Sequence, residues 1–237
     1  MSGKNITEIA EIANATTKSY TLTKADIDKF ISFEVTPSDG TDFGNSAESD
    51  LLGPILEVIA IPDPNFEQAL IDLGFDTNGL NGNILKSEAE AITSLAIANP
   101  TDNSTLPNVN SKITDLTGIE SMINLTYLDA STNSLTSIDV TKNSKLTNLR
   151  LNYNAISAID LSLNVDLERF HIQNNQLTQL DITKLINLKQ LGITYNANLS
   201  SIDLTQNVLL EGFATEGNNF TSVDLSKNIN ITRIYIV

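Results

Sequence analysis

A period of 21 residues constrains this chain more than any other feature. With Leu125 as the first position of a unit, equivalents fall at Leu146, Leu167, Leu188, Leu210 and Ile231, at spacings of 21, 21, 21, 22 and 21. The fourth position holds Leu128, Leu149, Phe170, Leu191, Phe213 and Ile234. The sixth is read as Ala130, Leu151, Ile172, Ile193, Ala214 and Ile236, and the ninth is asparagine at Asn133, Asn154, Asn175, Asn196 and Asn218. An apolar residue follows each asparagine, at Leu135, Ile156, Leu177, Leu199 and Phe220. A single unit of this length cannot bury its own apolar face, so the units must stack into one continuous core.

Each position has a physical reason. Apolar residues at positions one, four and six turn inward from a short strand and its lead-in, which predicts parallel strands near 126–130, 147–151, 168–172, 189–193 and 211–215. The chain must then bend sharply, leaving backbone donors and acceptors inside the coil. A buried asparagine amide carries both functions and satisfies them coil after coil. The return half repeats as Ile138-Asp139-Val140-Thr141, with counterparts at 159–162, 180–183, 202–205 and 223–226. An aspartate two residues before a hydroxyl predicts a side-chain-capped turn. A cation-binding aspartate ladder is the weaker reading, because Lys142, Lys184 and Lys227 offset alternate rungs.

These units resemble the leucine-rich repeats of secreted and surface proteins of the Bacteroidetes (flavobacterial) type. The segment Ile61-Pro62-Asp63-Pro64-Asn65-Phe66-Glu67-Gln68-Ala69-Leu70-Ile71 resembles the cap that precedes such repeats. The resemblance covers residues 61–237 and implies an α/β leucine-rich-repeat solenoid. Its parallel sheet lies on the concave face, the convex side is irregular, and a short helical cap closes the amino-terminal end. One strand position that the family often gives to cysteine is aliphatic or alanine here.

The cap also follows from local rules. Asp63 before Pro64 starts a helix, Phe66, Ala69, Leu70 and Leu73 form its apolar stripe, and Gly74 ends it. Ser87 with Glu90 predicts a capping box for a second short turn. A first coil begins at Ile92, Leu95 and Ile97; residues 98–112, with Pro100 and Pro107, read as a loop before Ile113, Leu116 and Ile119 resume the pattern. Upstream, residues 20–37 (Tyr20-Thr21-Leu22-Thr23 through Val35-Thr36-Pro37) resemble the later strands of bacterial immunoglobulin-like surface modules. The first strands of that sandwich are missing. The expected division is therefore a partial immunoglobulin-like β module over 1–52, a linker and helical cap over 53–91, and repeats over 92–237.

Function is read mainly by exclusion. The net charge of −15 repels phosphate backbones, so no nucleic-acid partner is expected, and no run reaches the length of a membrane span. The sequence has no cysteine and only one histidine, His171. No nucleophile elbow, zinc-protease helix, phosphate loop or dinucleotide fingerprint is present, so no catalytic residue, metal or cofactor is assigned. Asp76-Thr77-Asn78-Gly79 is a faint calcium-loop pattern spoiled by Leu80, which stands where an oxygen ligand belongs.

The informative surface is the outward side of the strands. It gathers all three arginines of the chain and its histidine. The candidate ligand-binding residues are Tyr127, Arg150, Tyr153, Arg169, His171, Lys189, Tyr195, Arg233 and Tyr235, since arginine and tyrosine are enriched where proteins bind partners. The competing structural reading pairs the arginines with Asp129 or Glu168. The resulting expectation is a non-catalytic module of an extracellular or cell-surface protein that recognises a protein or glycan on its concave face. Its alternatives are a targeting arm of a larger secreted enzyme and a structural spacer. Because residues 234 and 236 place apolar side chains at the last strand, one of two things is expected: end-to-end self-association of the chain, or a protein that continues past Val237.

Overall fold

A computed structural model describes residues 20–235. Ile236 and residues 1–19 of the amino-terminal module lie outside the described residues. The chain divides into two units, parted between Glu57 and Val58.

In the first unit, Thr23 caps a single 3-10 turn over Lys24–Asp26, and the Asp26 carboxylate reaches back to the Thr23 N–H at 2.7 Å. Two short strands, β1 (Glu34–Val35) and β2 (Ala47–Glu48), pair antiparallel, and a bridge between Ile31 and Leu52 extends the hairpin.

The second unit opens with the cap. Strand β3 (Val58–Ala60) pairs antiparallel with β4 (Asn83–Leu85), and between them runs helix α1 (Pro64–Asp72). Asp63 caps α1 as expected: its Oδ1 accepts from the N–H groups of Asn65 and Phe66, and Gly74 ends the helix at φ +74°. The other oxygen of Asp63 accepts from Thr114 N, Thr114 Oγ1 and Asp115 N, tying the cap to the first coil. Burial pushes this carboxyl up, but the bonds from Thr114, Phe66 and Asn65 outweigh it and hold Asp63 below the usual range. Glu67, also buried, accepts from the N–H groups of Asn81, Gly82 and Asn83 through one oxygen.

The capping box expected at Ser87 does not form. Helix α2 (Lys86–Ala91) follows directly from β4, so Leu85 is its N-cap with no side-chain bond. Glu90 lies 4.0 Å from Lys86 on the helix surface instead of reaching back to Ser87.

From there seven parallel strands stack in sequence order: β5 (Ser94–Ala96), β6 (Tyr127–Asp129), β7 (Asn148–Arg150), β8 (Arg169–His171), β9 (Gln190–Gly192), β10 (Gly212–Ala214) and β11 (Arg233–Tyr235). Register is kept throughout, with Leu95, Leu128, Leu149, Phe170, Leu191, Phe213 and Ile234 aligned in one row. Through the fourth coil the first, fourth and sixth positions, joined by Leu210 and Phe213 of the fifth, form a single core continuous with Phe66, Leu70 and Ile84 of the cap. One assignment is corrected. Counted from Leu210, the sixth position of the fifth coil is Thr215, not Ala214, whose side chain faces outward; Thr215 is buried, and its hydroxyl accepts from Asn218 Nδ2 at 2.8 Å.

The asparagine ladder joins neighbouring coils. Asn175 Oδ1 accepts from Ile156 N at 2.9 Å, while its Nδ2 donates to Leu151 O and Ile172 O. Asn133, Asn154, Asn196 and Asn218 repeat the arrangement; Asn154 and Asn218 are partly buried and the other three fully so. Just before each asparagine the chain passes through the left-handed region, at Thr132, Tyr153, Asn174, Tyr195 and Gly217. On the convex side the Nδ2 groups of Asn143, Asn164, Asn207 and Asn228 donate to carbonyls of the preceding coil and form a second, fully buried ladder. Leu185 takes its place in the third coil. The expected aspartate turns are present, with Asp139, Asp160, Asp181, Asp203 and Asp224 each accepting from the N–H two residues on.

The loop expected over 98–112 also contributes to the core. Leu106 and Val109 are buried in the core, and Asn108 donates its N–H and side-chain amide to Asp72 at 2.9 and 2.7 Å. The loop therefore binds the end of α1 to the first coil.

Candidate binding face

Strand alternation places positions three and five of every coil outward on the same side of the sheet. The row of position three runs Tyr127, Asn148, Arg169, Gln190, Gly212 and Arg233; the row of position five runs Asp129, Arg150, His171, Gly192, Ala214 and Tyr235. Arg150 and His171 are direct cross-strand partners, and Arg169 stands beside His171 on β8. These three side chains therefore share one patch of the sheet. Burial first, and then the neighbouring charges of Arg150 and Arg169, hold the His171 imidazole below its ordinary value. It is therefore neutral at pH 7.

Arg150 is held from two sides. Its guanidinium is 3.9 Å from Asp129 Oδ2, and its Cζ lies 5.9 Å from the centre of the Tyr127 ring. Tyr127 in turn donates to Asp129 at 3.4 Å, and its hydroxyl is pushed up by burial and by the Asp129 charge. Glu168 takes Lys189 at 3.0 Å, not an arginine. Among the described residues, Arg169 and Arg233 make no ion pair.

Tyr153 and Tyr195 stand two coils apart at the end of the strands, 59% and 49% exposed, both at positive φ. Left-handed backbone costs on the order of 1 kcal/mol for such residues. Tyr195 donates to Glu216 at 2.9 Å, which raises its own phenol pKa, and its ring lies over Gly217. Tyr235 and Arg233 project from β11 at the far edge and are exposed.

Sequence reasoning left the neutral polar residues out of this site. Ser131 Oγ, Asn148 Oδ1, Arg150 Nε and Gln173 Oε1 are all buried from solvent without a hydrogen-bond partner, and all lie on β6–β8 or just after those strands. Asn148 stands in the same row as Arg169, so its column was visible in the repeat; its unmet acceptor was not. By contrast, Asp76-Thr77-Asn78-Gly79 is a closed turn in which Asp76 Oδ1 accepts from Asn78 N. Among the described residues no group of three histidine or acidic side chains is placed to hold a metal ion.

Comparison with solved structures bears on the architecture. The functional domain of InlJ from Listeria monocytogenes, described as including a cysteine ladder, is similar at a TM-score of 0.59 and 23% identity; the match covers 76% of this chain and 43% of that one. An internalin, InlF, from the same species is similar at a TM-score of 0.58 and 22% identity, over 75% of this chain and 56% of that one. The fold is a leucine-rich-repeat solenoid. This leucine-rich-repeat chain thus spans about half the length of the solved chains it resembles, and the likeness at that identity speaks for the fold alone. No family model matches the sequence, and no curated protein does.

Proposed function

We propose that this chain is a non-catalytic protein-interaction module of a bacterial surface or secreted protein, and that it holds its partner on the concave strand face. The observation that carries the reading is the cluster of unmet polar atoms on Ser131, Asn148, Arg150 and Gln173. A buried polar group without a partner costs about 1–3 kcal/mol, and these four belong to neighbouring coils of the outward face, where side-chain rotation on binding would let a ligand satisfy them. The tyrosines and arginines around them are the residue types that dominate binding energy at interfaces. The likeness of the repeats to Bacteroidetes-type surface proteins supports the location. The hairpin over 31–52 supports reading the amino-terminal unit as part of an immunoglobulin-like module.

The test is a binding screen of the purified chain against arrays of extracellular proteins and glycans, followed by substitution on two faces. Asn148→Ala with Arg150→Ala weakens a verified protein ligand at least ten-fold while melting temperature stays within a few degrees. Asp160→Ala on the convex side leaves affinity unchanged. A ligand indifferent to the β7 pair, or an array that yields no protein ligand, overturns the reading.

A further inference from the structure

The concave face is not uniformly filled. Tyr127, Asp129, Arg150, Arg169 and His171 crowd β6–β8, whereas β10 presents only Gly212 and Ala214 before Arg233 and Tyr235 rise again on β11. On β9, Gly192 is covered: a side chain there would meet Gln173 Nε2 at 2.6 Å and His171 Cδ2 at 3.1 Å, so those two side chains lean over it. What remains is a slot about one strand wide over Gly212 and Ala214, walled by His171 and Gln173 on one side and Tyr235 on the other.

Gly212 has no reason of its own to be glycine. Its φ lies outside the left-handed range, and an added Cβ would meet nothing nearer than Gln190 Cδ at 3.9 Å, an ordinary contact. Glycine in a strand interior weakens the strand, and where no bulge explains it, it marks close approach by a ligand or another backbone. The row through Gly212 is Arg169, Gln190, Gly212, Arg233. Both arginines are exposed and unpaired among the described residues, in a protein whose net charge is −15. At the usual strand spacing they stand about 14 Å apart, and Gly212 lies between them, next to Arg233 and one strand removed from Arg169 across Gln190. The acids at the slot's ends do not fill it: Glu216 accepts from Tyr195, and Glu211 lies on the strand's lead-in.

We propose that this slot over Gly212 and Ala214 seats an extended, carboxylate-bearing stretch of the partner polypeptide, with Arg169 and Arg233 as the cations that receive it. The proposal rests on the concave-face reading above and locates one subsite within it. Charge complementarity selects the acidic partner, and the glycine floor selects a main chain lying close to the sheet.

The probe is a fluorescein-labelled, end-capped hexaglutamate peptide, read by anisotropy at physiological salt, with capped hexaglutamine as control. Saturable binding of hexaglutamate alone is expected, weakened at least ten-fold by Gly212→Leu and by Arg169→Ala with Arg233→Ala. Gly212→Leu leaves the melting temperature equal or higher, because the side chain enters open space. Amide chemical-shift changes centre on Gly212, Ala214 and Arg233. No saturable hexaglutamate binding, or equal binding by Gly212→Leu, overturns the proposal. An oligogalacturonate that fills the slot while hexaglutamate fails overturns the polypeptide assignment. Shifts confined to β6–β8, or a protein ligand lost in the β7 pair but untouched by Gly212→Leu, sink the slot and leave the wider reading standing; shifts confined to the convex side sink both.

Discussion

Asn175 and Asn164 show how the same residue type serves two levels of demand. Asn175 uses both halves of its amide, accepting from one coil and donating to two carbonyls inside the stack. Asn164 uses only its donor, at 2.9 and 3.0 Å to Val140 O and Asn143 O, while its Oδ1 is buried without a partner. Leu185 occupies the equivalent place one coil on with no loss of packing, at 0% exposure. Asn175→Ala is therefore expected to cost about 1–3 kcal/mol, through stranded backbone groups. Asn164→Leu costs clearly less, since it removes an unmet acceptor along with two donated bonds. Urea midpoints of the two variants, at unchanged slope, check the order; a larger loss for Asn164→Leu contradicts it.

Among the elements, the cap is where charge and burial disagree most. Asp76 is buried with one oxygen unpartnered, and its carboxyl is raised by burial first and then by the charges of Glu67 and Glu88. A raised carboxyl contributes stability only while it is protonated in both states, and that contribution is lost as pH climbs through the folded value. Asp76→Asn should consequently raise the melting temperature at pH 7 and leave it nearly unchanged at pH 3, where both side chains are neutral. Thermal melts at the two pH values decide; equal gains at both contradict the electrostatic cause. Asp63 works in the opposite sense, being held low, so its support for the cap fades as pH falls below about 4. Much of this architecture was legible beforehand, because it is written in local rules that repeat: every expected strand window contains its strand, and Asp63, Pro64 and Gly74 mark α1 without help from distant residues. What escaped notice depends on neighbours. Nothing about Thr132 or Tyr153 announces a left-handed backbone, which the stack imposes on them. The Ser87 box failed because β4 runs straight into α2 and leaves no free turn for a capping residue. The convex ladder was visible in the 21-residue spacing of Asn143 and Asn164, but asparagine in a polar turn gives no sign of being buried. The unmet atoms of the binding face are properties of packing, which a string of letters does not carry.

At the scale of the molecule, each coil touches its neighbours and little else, so stability is distributed as a chain of interfaces. Among the described residues the middle strands have two such interfaces, whereas β11 has one and carries exposed Ile234 and Tyr235, with Ile229 beside it at 87% exposure. Hydrogen exchange should accordingly be slowest at β7 to β9 and fastest at β11, with protection falling stepwise from coil to coil. Uniform protection across all seven strands contradicts this picture. The stacking also tolerates irregular lengths, since the fourth unit accommodates its extra residue at exposed Ala197 and Asn198, between a buried Asn196 and a buried Leu199. Because the register of one coil on the next is the same throughout, a deletion from Leu146 to Asp166 joins Lys145 to Leu167 with every type of contact retained. Unequal recombination between such units in a gene lengthens or shortens the strand face by one step at a time, and so resizes what the face can grip without redesigning how it folds.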